Sequence, residues 1–369
     1  MPALNAAWLR AHGARLEVGP APDAIPGPDE LVVANHAVAV NPVDWIVQDI
    51  GRLIFGWIKP PFVLGSDLAG EVVHVGSAVT RFAVGDRVLA HATGIDKSRN
   101  SAAEGSFQDR TLVLERMTSP IPDTVSYQDA AVLPLGLSTA ACGLFQRDHL
   151  DLAHPRATPV PTGETVLIWG GSTSVGSNAI QLAVAAGYDV LTTASPRNTE
   201  YVTRLGAGTV VDHHRPTAVT DAIAALRGRT VAGALAIGEG SARTCSDVIA
   251  ACKGRKFVSI VTPPASMSPA PSNIGQFVRA MPRSAAAMTS LTVLNRHRRI
   301  DTATVFGTTL MNNEVCQMIY QDFLPAALAD SRYTTAPPAH VVGTGLEQIQ
   351  EALYQQKKGV SAQKLVVTL

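Results

Sequence analysis

From Thr165 onward the chain alternates short apolar strands with helices, and few folds accommodate that rhythm. TVLIWG (165–170) is a fully apolar strand that runs into a turn and then the helix SNAIQLAVAAG. In that helix Ile180, Ala183, Val184 and Gly187 recur at i, i+3, i+4 and i+7, so one small-residue face can press on a sheet. DVLTTA (189–194), the helix TEYVTRLGA closed by Gly206, TVVD (209–212), ALAIG (234–238) and KFVSIV (256–261) continue the series. Strands separated by helices at this spacing predict an α/β unit with a parallel, doubly wound sheet.

The first strand meets its helix at Gly170-Gly171-Ser172-Thr173-Ser174-Val175-Gly176. A pyrophosphate needs a tight turn, exposed backbone N–H groups and a helix N-terminus behind them. Gly171 is expected to make the turn and Gly176 to allow close helix–sheet approach. Thr173 stands where a G-x-G-x-x-G pattern has its middle glycine, and Ser172, Thr173 and Ser174 offer hydroxyls for a helix cap or for phosphate. An ordinary capped connection would read the same way locally; the βα units that follow favour the dinucleotide site.

Selection between the two nicotinamide dinucleotides falls at the end of the second strand. An acid there would hold a ribose 2′-OH, but this chain has Ser195-Pro196-Arg197-Asn198. A hydroxyl, a guanidinium and an amide suit a 2′-phosphate, which an acid would repel. The expected cofactor is therefore NADPH, although Arg197 could equally be a solvated surface arginine.

The preceding chain has a different texture. LVVANHAVAV (31–40), LAGEVVHVG (68–76) and GDRVLA (85–90) are short strands bounded by turn residues, which suggests a partly open β-barrel over the first ~125 residues. Residues 127–145 read as helices leading into the α/β unit, and the tail from 346 as an amphipathic helix and a strand. Residues 263–282, rich in proline and serine, read as a loop, and with 281–288 are expected to cover the substrate pocket. Lysine plus arginine equals aspartate plus glutamate at 30 each, which gives no field for steering nucleic acid or an anionic membrane. The first residues lack a signal-peptide pattern, no stretch reaches about 20 apolar residues, and the four cysteines are dispersed. A cytoplasmic enzyme is the expectation, without membrane or nucleic-acid partners.

NPVDW (41–45), FVLGSDLAGEVVHVGSAVTRFAVGDRV (62–88), EGSFQD (104–109), AAVLPLGLSTA (130–140), the GGSTSVG turn, VFGTTL (305–310) and KKGVSAQKLVV (357–367) occur in the order seen in one family. Together they resemble the medium-chain dehydrogenase/reductase superfamily, in its quinone-oxidoreductase-like branch. SPRN, the GGST turn and the NPVDW segment are most similar to fungal trans-acting enoyl reductases of polyketide synthesis. The resemblance covers essentially the whole chain. It implies a GroES-like β-barrel catalytic domain from residues 1–126 and 310–369, and an NADP-binding Rossmann domain from 127–309. It also implies reduction of an enoyl thioester carried on an acyl-carrier protein, with a polyketide synthase as a possible partner.

The resemblance further assigns a cofactor lining of Val43, Asp44, Trp45, Ile46, His213, Ile260, Val261, Val360 and Ser361. The substrate lining would be Leu133, Pro134, Leu135, Gly136, Leu137 and Ser138. Thr139 is the candidate catalytic hydroxyl, or else an internally packed helix residue. His213 is placed beside the adenine ribose. Zinc relatives carry a histidine after the glycine of L-G-H-E and a cysteine near the N-P turn; here stand Leu64-Gly65-Ser66-Asp67 and Asn41. No metal is expected. His213 and His214, as neighbours on a strand end, are expected to point to opposite faces and not to share an ion. Relatives commonly carry a lysine and a tyrosine where this chain has Ile46 and Ile50. That departure keeps two alternatives open, a quinone or alkenal reductase acting on free substrates, and a redox-neutral cyclase or binding protein.

Overall fold

Five short, largely apolar runs and the polar edge strand Asp301–Thr304 line up as parallel strands in one sheet. The spatial order is Thr209–Val211, Asp189–Thr193, Glu164–Trp169, Thr230–Ala236, Phe257–Ile260 and Asp301–Thr304. Numbered along the chain these are strands 3-2-1-4-5-6, the Rossmann order, and the winding reverses between Glu164–Trp169 and Thr230–Ala236. The strands read as continuous apolar runs because helices cover the sheet. Leu167, Ala234, Ala236 and Val258 belong to one buried cluster with Ala242, Cys245, Val248 and Ile249 of the helix Ser241–Ala251.

The computed structural model describes residues 3–262 and 274–369. The chain divides into two units, one of Met1–Leu135 with Ile319–Leu369, the other taking the chain between Gly136 and Met318. The joints fall at Leu135/Gly136 and Met318/Ile319. One expectation is corrected here. Within residues 263–282, the stretch from Ile274 on is the first part of a long helix, Ile274–Arg298, with Pro282 inside it; the remainder lies outside the described residues. Residues 281–288 belong to the same helix, where Ala285, Ala286 and Met288 are exposed. Among the described residues no helix is long and apolar enough to cross a membrane.

The first unit is built on Glu30–Ala39, a ten-residue strand that pairs antiparallel with Asp67–Val75, Arg110–Leu114 and Lys364–Thr368. Register breaks at Val32/Val33 and Asn35/Ala37 bend it, which lets one strand serve several neighbours. The Asn35 amide lies at the second break and donates to Ser106 O at 3.0 Å, Gln108 O at 2.7 Å and Thr111 Oγ1 at 2.8 Å. The C-terminal strand brings Val366 opposite Ala39, so both chain ends build this unit. Directly after the central strand, Asn41 starts the helix Pro42–Ile54, whose Val47 and Ile50 are buried.

Candidate cofactor-binding site

The turn after Glu164–Trp169 is made by Gly170, whose φ of +94° is costly for any residue with a Cβ. This corrects the assignment of that role to Gly171. Gly171 is constrained differently, since a Cβ on it would lie 2.2 Å from Thr192 Oγ1. Both glycine N–H groups are tied to the neighbouring strand, Gly170 N to Thr193 Oγ1 and Gly171 N to Thr193 O, each at 2.9 Å. Gly176 allows the helix Ser174–Ala185 to close on the turn, because a Cβ there would meet Gly170 O at 2.2 Å. Thr173 caps the helix, its Oγ1 accepting from Gly176 N at 3.0 Å and donating to Gly170 O at 2.8 Å. Ser174 and Val175 open the helix, and first-turn N–H groups have no intrahelical acceptor. The Ser174 hydroxyl is buried without a hydrogen-bond partner. The helix dipole and the first-turn N–H groups of Ser174 and Val175 form a cradle that suits a diphosphate.

At the end of the adjacent strand Asp189–Thr193, an open pocket of about 400 Å³ is lined by Ser195, Pro196, Arg197 and His214. Pro196–Asn198 is a short 3-10 turn for which the Ser195 side chain makes no cap, leaving its hydroxyl for another partner. Arg197 is exposed, whereas Asn198 is 8% exposed and turned inward. The histidine at this pocket is thus His214, which the sequence reading passed over in favour of His213. The strand Thr209–Val211 has already ended before this pair. The two rings lie 4.0 Å apart, centroid to centroid, and tilted by 34°, so the expectation of opposite faces is overturned. Strand alternation does not extend past Val211 into the turn.

The first unit holds a buried network where the sequence comparison with zinc enzymes falls. Asp67 Oδ1 accepts from Leu135 N at 2.6 Å. Asp67 Oδ2 accepts from Asn41 Nδ2 at 2.9 Å and lies 2.7 Å from Lys364 Nζ. Lys364 also donates to Asn41 Oδ1. Asp44 Oδ2 accepts from Asn41 N at 2.7 Å. Burial pushes the Asp44 carboxyl up to about 7, opposed by the Asn41 N–H and reinforced by the charge of Asp67. His91, opposite Asp67 on the neighbouring strand, is held down to about 4 by burial. Lys364 and Asn41 escaped notice as partners because 323 residues separate them. The available signal was a lysine opening the apolar strand KLVVT.

Several expected lining residues are interior ones. Asp44 is 1% exposed and holds the start of its helix through Oδ2. Ile50 is buried, while Val43, Trp45 and Ile46 are half-buried and pack on the core of the first unit. In the second unit Ile260 points into the core, whereas Val261, just past the strand end, is half-buried. Leu133, Pro134, Gly136, Leu137, Ser138 and Thr139 are all buried, and among this group only Leu135 is partly open. Gly136 is tightly placed, since a Cβ would meet Ser174 Oγ at 2.4 Å. Val360 and Ser361 are exposed.

Residues 27–123 match the alcohol dehydrogenase GroES-like domain. Over 372 residues the chain is 49% identical to the dehydrogenase pigH of Monascus ruber, covering 100% of each. It is 34% identical over 368 residues to the trans-enoyl reductase himH of Aspergillus japonicus, covering 99% of this chain and 97% of that one. Among solved structures, mycobacterial Rv1454c complexed with NADPH has a TM-score of 0.68 at 20% identity, covering 100% of each chain.

Proposed function

Because the chain belongs to the medium-chain dehydrogenase/reductase superfamily, alongside fungal dehydrogenases and trans-enoyl reductases, it is an oxidoreductase of the nicotinamide-dependent type, and we propose that it is a zinc-independent, NADPH-dependent enoyl reductase. The observation that carries this reading is the pocket of Ser195, Arg197 and His214 at the end of the second Rossmann strand. A hydroxyl, a fixed positive charge and an imidazole there favour a 2′-phosphate, and no acid lines it. In this reading the substrate is a polyketide enoyl thioester tethered to an acyl carrier, with a synthase as partner; the relative himH, named a trans-enoyl reductase, supports the enoyl part. The four cysteines are buried and form no disulfide, which suits a reducing cytoplasm.

NADPH supplies a hydride to the β-carbon of the conjugated double bond. The chain's part is binding and orientation. The first-turn N–H groups of Ser174 and Val175 would hold the diphosphate, and Arg197 would hold the 2′-phosphate. Ile46 offers no proton, and Thr139 is buried, so the α-carbon proton is assigned to solvent. Zinc independence rests on the donors present: Asp67 is already bound by Lys364, Asn41 and Leu135 N, and Asn41 and Ser66 bring neither sulfur nor imidazole.

The test is steady-state oxidation of NADPH and NADH with an enoyl thioester, on a carrier protein and as a free thioester, with and without chelator. Consumption of NADPH in preference to NADH, undiminished by chelator and faster on the carrier, is expected. Turnover only on free quinones or alkenals would move the protein to the small-molecule reductases. Product formed without NADPH loss would make it a redox-neutral catalyst, the reading that Ile46 favours.

A further inference from the structure

Just beyond the strand Thr209–Val211, three consecutive side chains converge. Asp212 Oδ1 accepts from the His214 backbone N–H at 3.0 Å and lies 3.1 Å from His214 Nδ1. The backbone bond closes the turn and brings the carboxylate and the His214 ring to the same side. His213 stacks on His214, and one ligand atom from each of the three residues lies within 4.8 Å of the others. Among the described residues this is the one group of three or more such donors that draws together in this way.

We propose that Asp212, His213 and His214 form a surface site for one divalent transition-metal ion of the zinc or nickel class. Imidazole pairs with a carboxylate are suited to these ions, and hard cations such as Mg²⁺ prefer all-oxygen ligands. Zn–N and Zn–O bonds of about 2.0–2.2 Å place tetrahedral ligand atoms about 3.3 Å apart. The 3.1 Å between Asp212 Oδ1 and His214 Nδ1 is close to that edge, so only His213 has to turn inward. His213 and His214 are exposed and Asp212 half-buried, so an ion can enter without opening the fold. Three protein ligands leave a fourth position for water. His214 also lines the pocket assigned to the 2′-phosphate, so the proposal concerns the cofactor-free protein, and the ligand geometry stands whether or not the cofactor reading does.

Isothermal titration of the full-length protein with Zn²⁺, and with Mg²⁺ as control, tests the proposal. One saturable Zn²⁺ equivalent and no Mg²⁺ binding are expected. His213→Asn and His214→Asn should each weaken Zn²⁺ by about tenfold or more. His36→Asn, at a histidine elsewhere on the surface, should leave binding unchanged. Thermal denaturation should show all three variants folded, since His213 and His214 are exposed and His36 is partly so. Absence of a saturable Zn²⁺ equivalent would overturn the proposal, and so would unaltered affinity in both His213→Asn and His214→Asn.

Discussion

The two units treat their polar residues in opposite ways. In the first, Lys364 and Asp67 are 4% and 0% exposed and each Asp67 oxygen has its donor. In the second, Arg197, His213 and His214 stand at the surface around an open pocket or beside it. A buried charge without partners is expelled from a fold by its desolvation cost, so the Asp67–Lys364 pair persists because both carboxylate oxygens have donors. An exposed cluster faces no such demand, and unused hydroxyl, guanidinium and imidazole groups at a strand end can be kept for a ligand. The comparison assigns the interior network to holding Asn41 and Leu135 in place, and the rim to recognition.

Breaking the interior network should have the largest effect. Lys364→Met leaves Asp67 charged and buried with only neutral donors, and is expected to cost about 3–5 kcal/mol in denaturant unfolding. A double variant, Lys364→Met with Asp67→Leu, should recover much of that loss, because no charge is left stranded. If the single variant unfolds like the parent, the network is not what holds this region.

Acid should expose a second property of the same region. Asp44 rises from 3.8 to about 7 on folding, so the folded chain holds this proton more tightly; its contribution is full below 3.8 and is lost as pH rises to about 7. His91 falls from 6.5 to about 4, so its contribution is full above 6.5 and is lost as pH falls toward 4. Between those values the two slopes oppose each other. Asp44→Asn, which keeps an acceptor for Asn41 N, should leave a protein that loses stability on acidification from pH 6.5 to 4. His91→Gln should leave one that gains stability over the same range. Urea unfolding across that window checks both, and identical slopes in parent and variants would refute the opposition.

The legible parts of the sequence were the periodic ones. Strand and helix runs between Thr165 and Val261 carry their burial pattern locally, and the parallel sheet follows from it. Contacts between distant residues were not legible: nothing beside Lys364 in sequence points to Asn41 or Asp67. Nor does composition reveal a dihedral angle, so two adjacent glycines did not show that Gly170, and not Gly171, takes the positive φ. The helix Ile274–Arg298 was hidden by Pro282 and scattered serines, although Ala285-Ala286-Ala287 favours a helix. Strand alternation, carried past Val211 into the turn, sets His213 and His214 on opposite faces, whereas their rings lie together.

At the rim, Arg197→Ala should leave unfolding unchanged and act on the ligand alone. Loss of one charged hydrogen bond to phosphate is worth about 1.5–3 kcal/mol, hence about tenfold or more in the NADPH dissociation constant. NADH, without the 2′-phosphate, should bind as before. Fluorescence titration of both cofactors checks this, and equal weakening of the two would remove Arg197 from cofactor selection.

Thr173 belongs to both regimes and should show the smallest effect of each kind. It is exposed, like the rim, yet its hydroxyl is fully engaged, like the interior, accepting from Gly176 N and donating to Gly170 O. Thr173→Ala removes a helix cap and is expected to cost about 1 kcal/mol in unfolding, with Thr173→Ser restoring it. The Gly176 N–H that it releases points out of the helix start, where a diphosphate oxygen can take over as acceptor. Bound NADPH should therefore offset part of the loss, so that the stability gap between parent and Thr173→Ala narrows at saturating cofactor. A gap that stays the same would mean that Thr173 serves the helix alone and that the diphosphate is held without Gly176.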